Sequence, residues 1–361
     1  MALTQVDQGL LSSTAQYTGF KNRIINGAMV IDQRNAGSVV TPANASYTLD
    51  RWICFQTTAS KFSVQQQTSV VPTGFTYAAK ITSLSAYTVL SSDYYTFQQK
   101  FEGYNIADLG WGTANAKTVT LSFWVYSSLT GTFGGSFFNA AGARSYPFTY
   151  TISSANTWEQ KSVTIAGDTS GTWSTDNTAS IILAFTLGVG SSNAGTAGAW
   201  ASAFYLGPTG ATSVVGTNAA TWYVTGVQLE KGSTATSFDY RPIGTEFALC
   251  QRYYYKISGN TQYARFGHGF CGAASTTNFY ATVIFPVSMR AAPTSVDTAG
   301  SLGVWNGGAI TAASAITLDT SANTAQVSVA FVTSSGMTAQ SPYQLIGNNS
   351  GSASLAFSSE L

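Results

Sequence analysis

The sequence predicts an all-β protein: a jelly-roll or β-sandwich domain, then a second, smaller β-sandwich-like domain, with an extended N-terminal arm in front. Three observations predict it. Apolar residues recur with period two rather than 3.6. The apolar runs are short and end in Gly, Asn, Ser or Pro, the punctuation of sandwiches and jelly rolls. Charged residues make up only 9% of the 361 residues while aromatics reach 13%, against roughly a quarter charged in an ordinary soluble domain. That aromatic content excludes disorder, because a disordered chain lacks the large apolar side chains that fill a core.

The segment 1–21 is polar, with scattered Leu, Gly9 and Gly19 and no sustained alternation. It cannot bury itself alone and reads either as a frayed terminus or as an arm that orders on a partner. Further on, Thr118–Tyr126 alternates strictly: Val119, Leu121, Phe123 and Val125 share one face, and Trp124 and Tyr126 the other. The same pattern recurs at Ile181, Leu183, Phe185 and Leu187, at Phe279, Ala281, Val283 and Phe285, and at Val327, Val329 and Phe331. Between Trp222-x-Val224 and Val227-x-Leu229 the parity switches, and Gly226 marks a β-bulge. Lys231–Thr234 reads as a turn and Phe238–Pro242 as a closing edge segment. The first β domain therefore spans 22–243 and the second 244–361. The stretch Thr245–Tyr255 is the best short-helix candidate, one or two turns ahead of a strand.

A net charge of +1 gives no broad attraction to nucleic acid or anionic lipid. No apolar run approaches the roughly 20 residues of a membrane helix, and Met1–Leu11 lacks the pattern of a signal peptide. Synthesis in the cytoplasm is expected. Cys54, Cys250 and Cys271 are too few for a disulfide framework and read as buried free thiols. A surface short of charge and rich in hydroxyls and amides suits contact between copies of the chain.

Several segments resemble those of bacteriophage tail-fibre and related phage structural proteins. They are Asn22–Arg34 (NRIINGAMVIDQR), Tyr47–Trp52 (YTLDRW), Gly226–Gly232 (GVQLEKG) running on to Arg241-Pro242, Leu249–Tyr254 (LCQRYY) and Phe285–Pro293 (FPVSMRAAP). The resemblance implies a first domain like the jelly-roll carbohydrate-binding modules. It also implies a homotrimer, attachment to other tail or baseplate proteins through the arm 1–21, a place on the virion tail, and contact with host-surface glycan. Long tail-fibre shafts carry repeats, and none is found here. A compact fibre, or a head or tail decoration or adaptor protein without a host ligand, fits better than a rod.

A polysaccharide hydrolase needs two carboxylates at a set separation. Asp50, Asp93, Glu102, Asp168 and Asp176 fall in turn-like or edge-like settings, and no spacing singles out a pair. No catalytic residue is assigned. His268, the only histidine, reads as a polar residue of a Gly-rich hairpin or a subunit contact rather than part of a triad or zinc site. No cofactor is expected; jelly-roll sugar modules often hold a structural calcium, but no loop here nominates ligands. Sugars are held by aromatic stacking and polar side chains, which makes loop aromatics the candidates. Trp173 and Trp200 stand in polar or Gly-rich loops, with Phe204 and Tyr205 ending the same segment. Glycan stacking, a subunit contact and packing under a loop all remain open for the two indoles. Arg144 and Tyr146 join the candidates as residues that would line a concave sheet face. Trp52, Trp124 and Trp222 sit in strand-like runs and read as packing.

Overall fold

The computed structural model describes residues 20–319, 322–333 and 336–361. The expected arm, 1–21, falls outside this range except for Phe20 and Lys21. Two compact units are present, one ending at Ile243 and including Leu361, the other running from Gly244 to Glu360.

In chain order the first unit holds strands β1 (Ser46–Leu49), β2 (Trp52–Gln56), β3 (Phe62–Gln67), β4 (Ala78–Ser83), β5 (Tyr94–Glu102), β6 (Val119–Ser127), β7 (Gly131–Asn139), β8 (Ser145–Ile152), β9 (Glu159–Ile165) and β10 (Ala179–Val189). Two-residue β11 (Ala194–Gly195) and β12 (Gly207–Pro208) pair within a long loop, and β13 (Thr221–Lys231) closes the unit. The strands form a six-stranded sheet, β1-β2-β5-β10-β7-β8, and a five-stranded sheet, β3-β4-β13-β6-β9. Pairing in both is antiparallel, and the chain repeatedly crosses from one sheet to the other, as a jelly-roll sandwich requires.

The period-two faces meet between the sheets. Val119, Leu121, Phe123 and Val125 are fully buried, as are Ile181, Leu183, Phe185 and Leu187 from the opposite sheet. Phe185 lies at the centre, 5.0 Å from the Phe123 ring and 5.4 Å from Trp222. Trp52 stacks on Phe97 at 4.8 Å and 6°. Trp52 and Trp222 thus pack as their strand settings predict, while Trp124 is half-buried on the outer face.

The bulge expected at Gly226 is present: the β13–β6 register shifts between Thr225 and Gln228, and Gly226 has φ +60°. Its consequence is local. β4 pairs with β13 only as far as Val224, and beyond the bulge a strap of residues 21–27 takes the place of β4. The Val227 N–H donates to the Gly27 carbonyl (2.9 Å), and Asn22 Nδ2 donates to the Val227 carbonyl (3.1 Å). Asn22 Oδ1 accepts from the Leu229 and Ile24 amides. Gly27 has no alternative, since a Cβ there would stand 2.1 Å from the Val227 oxygen. Asn26 then ties the strap to the β1–β2 turn, donating to the Ile31 and Asp50 carbonyls, while the Trp52 indole donates to the Asn26 carbonyl.

Phe238–Pro242, expected as a closing edge segment, is an irregular segment fixed by side chains rather than by a strand ladder. The Asp239 carboxylate accepts from the Lys21 and Asn22 amides, and the Arg241 guanidinium donates to the Ile24 and Asn22 carbonyls. Those bonds occupy the strap, so no free ladder remains for a further strand.

The second unit opens with helix α1 (Ile243–Gln251), starting two residues before the predicted stretch, followed by β14 (Tyr254–Ser258). It continues with β15 (Arg265–Cys271), β16 (Asn278–Ile284), β17 (Val296–Ala299), β18 (Leu302–Trp305), β19 (Ile310–Ala312), β20 (Ala315–Leu318), β21 (Gln326–Val332), β22 (Pro342–Gly347) and β23 (Ser354–Ser358). They form a three-stranded sheet, β14-β23-β17, and a seven-stranded one, β19-β18-β22-β15-β16-β21-β20, over their own core of Phe279, Ala281, Val283, Leu345 and Phe357. Val329 is buried as expected; the side chains of Val327 and Phe331 lie outside the described set. His268 is exposed in the β15–β16 hairpin, opposite Thr282. All three cysteines are buried free thiols, and burial pushes the Cys54 thiol up to about 12.

Because Asn22 satisfies three buried main-chain groups, Asn22→Ala should lower unfolding stability by about 3 kcal/mol, the cost of leaving such groups unpaired. Urea unfolding followed by tryptophan fluorescence measures it; a change below about 0.5 kcal/mol would show that the strap is dispensable.

Candidate functional site

The residues singled out in the sequence do come together, but in an interior cluster. The Trp111, Trp173 and Trp200 rings meet edge to face at 5.0, 5.3 and 5.5 Å. Tyr146 packs on Trp200 at 5.3 Å. The Arg144 guanidinium lies 6.0 Å from the Trp200 ring and clamps Asp168 with two hydrogen bonds, 2.8 and 2.6 Å, while a third reaches Ser202 at 2.7 Å. Both indole N–H groups are spent on loop carbonyls, Trp173 on Ser170 and Trp200 on Ala166.

Of the three roles left open for Trp173, the structure shows packing under a loop, at 7% exposure; Tyr146, 8% exposed, packs inward rather than lining an open sheet face, so neither offers a ring face to a sugar. Arg144 likewise does not line a sheet face; it neutralises an Asp168 carboxylate that is 1% exposed. The physical reason is desolvation: a buried carboxylate needs a bidentate partner, and the indoles exclude water around that pair. Trp200 remains half-buried at the rim. Tyr205 lies apart from the cluster, its ring covering Gly195 and its amide bonded to Ser145 Oγ.

Open space of about 550 Å³ lies elsewhere, in a groove on the outer face of the six-stranded sheet. Strands β2, β5, β7 and β10 supply its floor: Phe55, Tyr94, Gln98, Lys100, Phe138 and Ile182. The β7–β8 turn at 140–142 and the loop residues Phe204 and Leu206 form its walls. Each floor residue alternates with a core residue of the same strand. Tyr95 and Phe137 point inward with 0% exposure, so Tyr94 and Phe138 must point out. Phe204 is 43% exposed and stands at 90° to Phe138, with ring centroids 5.2 Å apart. The Lys100 ammonium sits 5.6 Å from the Phe55 ring centroid. Gln98 Nε2 donates to Thr96 Oγ1, which fixes the amide on the groove floor.

Such a groove offers the exposed Phe204 ring and the half-buried Tyr94 and Phe55 rings together with the Lys100 side chain; Phe138 and Gln98, 4% and 3% exposed, close its floor, and no carboxylate lines it. It has the parts to bind a sugar chain by stacking and hydrogen bonding; it lacks the paired acids of glycoside hydrolysis. Sequence reasoning named Phe204 in passing and missed the other five aromatic and polar residues. The doublets Tyr94-Tyr95 and Phe137-Phe138 were the available signal, because a strand must put one member of an adjacent pair outside the core.

The candidate acids resolve differently from expectation. Asp50, Asp93, Glu102 and Asp168 are buried, and only Asp176 is exposed. Burial acts to raise the Asp93 pKa, but hydrogen bonds from the Leu90 amide, Tyr87 and Thr57 outweigh it and hold the carboxyl below its ordinary value. It serves as a loop clamp. Among the described residues no group of three or more His, Cys, Asp or Glu side chains is placed to hold a metal.

No family model matches the chain, and no curated protein does. Similar solved structures include the enzymatically active domain of tailspike protein 4 of bacteriophage CBA120, 12% identical over 58% of this chain, with a TM-score of 0.30. This chain spans 21% of that tailspike chain. A CBM4 structure is 17% identical over 57% of this chain and 98% of its own, with a TM-score of 0.31. The family 11 carbohydrate-binding module of a Clostridium thermocellum cellulosomal cellulase is 12% identical over 56% and 99%, with a TM-score of 0.28.

If Arg144 and Asp168 are a structural pair, Arg144→Ala should cost about 3 kcal/mol or more, since it strands a buried charge. The double variant Arg144→Met/Asp168→Leu should recover most of that loss. Thermal and urea unfolding of both decide; equal destabilisation by single and double changes would contradict the pairing.

Proposed function

We propose that this chain is a non-catalytic phage tail-fibre protein that contacts host-surface glycan through the groove on the six-stranded sheet of its first unit. The observation that carries the reading is the groove itself, with Tyr94 and Phe204 presented beside Lys100 over a closed floor of Phe138 and Gln98 on the six-stranded sheet. Aromatic faces supply the apolar contact that a pyranose ring accepts, and the Lys100 ammonium, which also donates to the Leu361 oxygen at 2.6 Å, and the Tyr94 hydroxyl supply polar groups at the rim. The segments that resemble phage structural proteins support the virion setting.

Attachment through the arm 1–21 and threefold assembly belong to the same proposal. A single shallow groove binds weakly, and three copies on one fibre multiply its hold without any new contact.

Phe204→Ala and Tyr94→Ala should each weaken binding to extracted host polysaccharide about tenfold, roughly the 1.4 kcal/mol of one lost stacking contact. Calorimetry on the full chain and cell-binding assays measure it. Wild-type protein that ignores host cells at saturating concentration would instead favour a decoration or adaptor role, and release of reducing ends would favour an enzyme.

Light scattering on the purified chain at micromolar concentration should give three chain masses. A clean monomer would remove the threefold part of the proposal.

A further inference from the structure

The opposite face of the same sandwich carries a second recess, of about 450 Å³, at the β3–β4 end of the five-stranded sheet. Its chemistry differs from that of the groove. Gln65, Lys80 and Tyr223 stand side by side in register across β3, β4 and β13, and Tyr126 of β6 continues the row. At the ordinary strand spacing that row is about 14 Å long. Tyr223 is 7% exposed and forms the floor, packed at 4.9 Å against Tyr126, with the Lys80 ammonium 5.9 Å from its ring centroid. Thr68 and Ser69 beyond β3 and Gly37 of the preceding loop make the wall.

Charge decides what fits. Lys80 is the one charged residue lining the recess, and among the described residues it makes no ion pair and no hydrogen bond. By contrast Lys161 is paired with Glu159, and Lys231 with Asp108. Gln65 holds itself in place by donating to the Gly37 carbonyl (3.0 Å), which leaves its Oε1 to accept from a ligand hydroxyl. A cation without a counter-ion, set beside an oriented amide acceptor and serine and threonine hydroxyls, complements a group that is both anionic and hydroxyl-rich.

We infer that this recess binds an acidic sugar unit, a pyranose bearing a carboxylate, with the carboxylate on Lys80 and the ring hydroxyls on Gln65 and Ser69. The site lies on a different sheet from the groove and does not depend on the groove reading. Two sites on opposite faces would let one sandwich bridge neighbouring strands of a surface polysaccharide.

The test titrates the full chain with tetragalacturonate, with its neutral tetragalactose counterpart and with inorganic phosphate. Tetragalacturonate should bind measurably and more weakly as salt rises, tetragalactose at least tenfold less well, and phosphate should fail to displace the tetramer at equal concentration. Lys80→Gln should abolish the preference for the acid and its salt dependence. Phe204→Ala should leave both intact, which separates this site from the groove. Absence of tetragalacturonate binding, equal binding of the neutral tetramer, full displacement by phosphate, or an unaltered preference in Lys80→Gln each overturns the inference. Unchanged thermal unfolding of the half-buried Lys80→Gln variant confirms that the readout is binding rather than folding.

Discussion

The first unit depends on one local constraint, the interruption of β13 at Gly226. A continuous strand there would need β4 as neighbour along its whole length, yet β4 stops opposite Val224. The bulge turns the Val227 amide and carbonyl toward the strap 21–27, and the strap answers with Gly27 and Asn22. Buried main-chain groups left unpaired at that point would each cost about 1–3 kcal/mol. Everything near the strap follows from satisfying them: Gly27 to let two backbones touch, Asn26 to reach the β1–β2 turn, and Asp239 and Arg241 to clamp the strap from outside.

This explains which parts of the sequence were legible. The resembling segments Asn22–Arg34, Tyr47–Trp52, Gly226–Gly232 and Arg241-Pro242 are distant in the chain but converge on the strap, the bulge and the turn that Trp52 anchors. They record a packing solution, so they speak to fold and ancestry rather than to a ligand. Period-two runs such as 119–125 and 181–187 were readable because burial on one face imposes the pattern directly. How Phe238–Pro242 is held was not legible, because its order comes from side-chain hydrogen bonds with residues more than 200 positions away, which leave no local periodicity.

The site was less legible for a related reason. Loop tryptophans look available in a sequence, yet Trp173 lies in a loop that folds back over Asp168, where its indole helps keep a charged pair dry. Groove residues look like core in a sequence, since Tyr94, Phe138 and Ile182 sit in apolar strands. Their outward direction is set by register against Tyr95 and Phe137, which one strand in isolation does not reveal. The walls, the 140–142 turn with Phe204 and Leu206, sit in loops, and of these Phe204 is the piece to which composition drew attention.

Burial also reshapes the meaning of the low charge. Asp50, Asp93, Glu102, Asp168, Glu230 and Glu246 are buried, so the acids that remain outside are fewer still than the composition suggests. Asp50, Asp93, Asp168 and Glu230 work as clamps, Glu230 by accepting from the Thr236 amide and hydroxyl. The groove and the recess are thereby left to rings, amides and hydroxyls, with one lysine lining each, Lys100 in the groove, where it donates to the Leu361 oxygen, and Lys80 in the recess. A surface of that kind gains little from long-range attraction and must recognise partners by contact. Contact recognition of a flexible, hydroxylated polymer is weak for any one site. Under the proposed function, repetition is what would make such weakness useful, since linked copies multiply the hold without enlarging any one site.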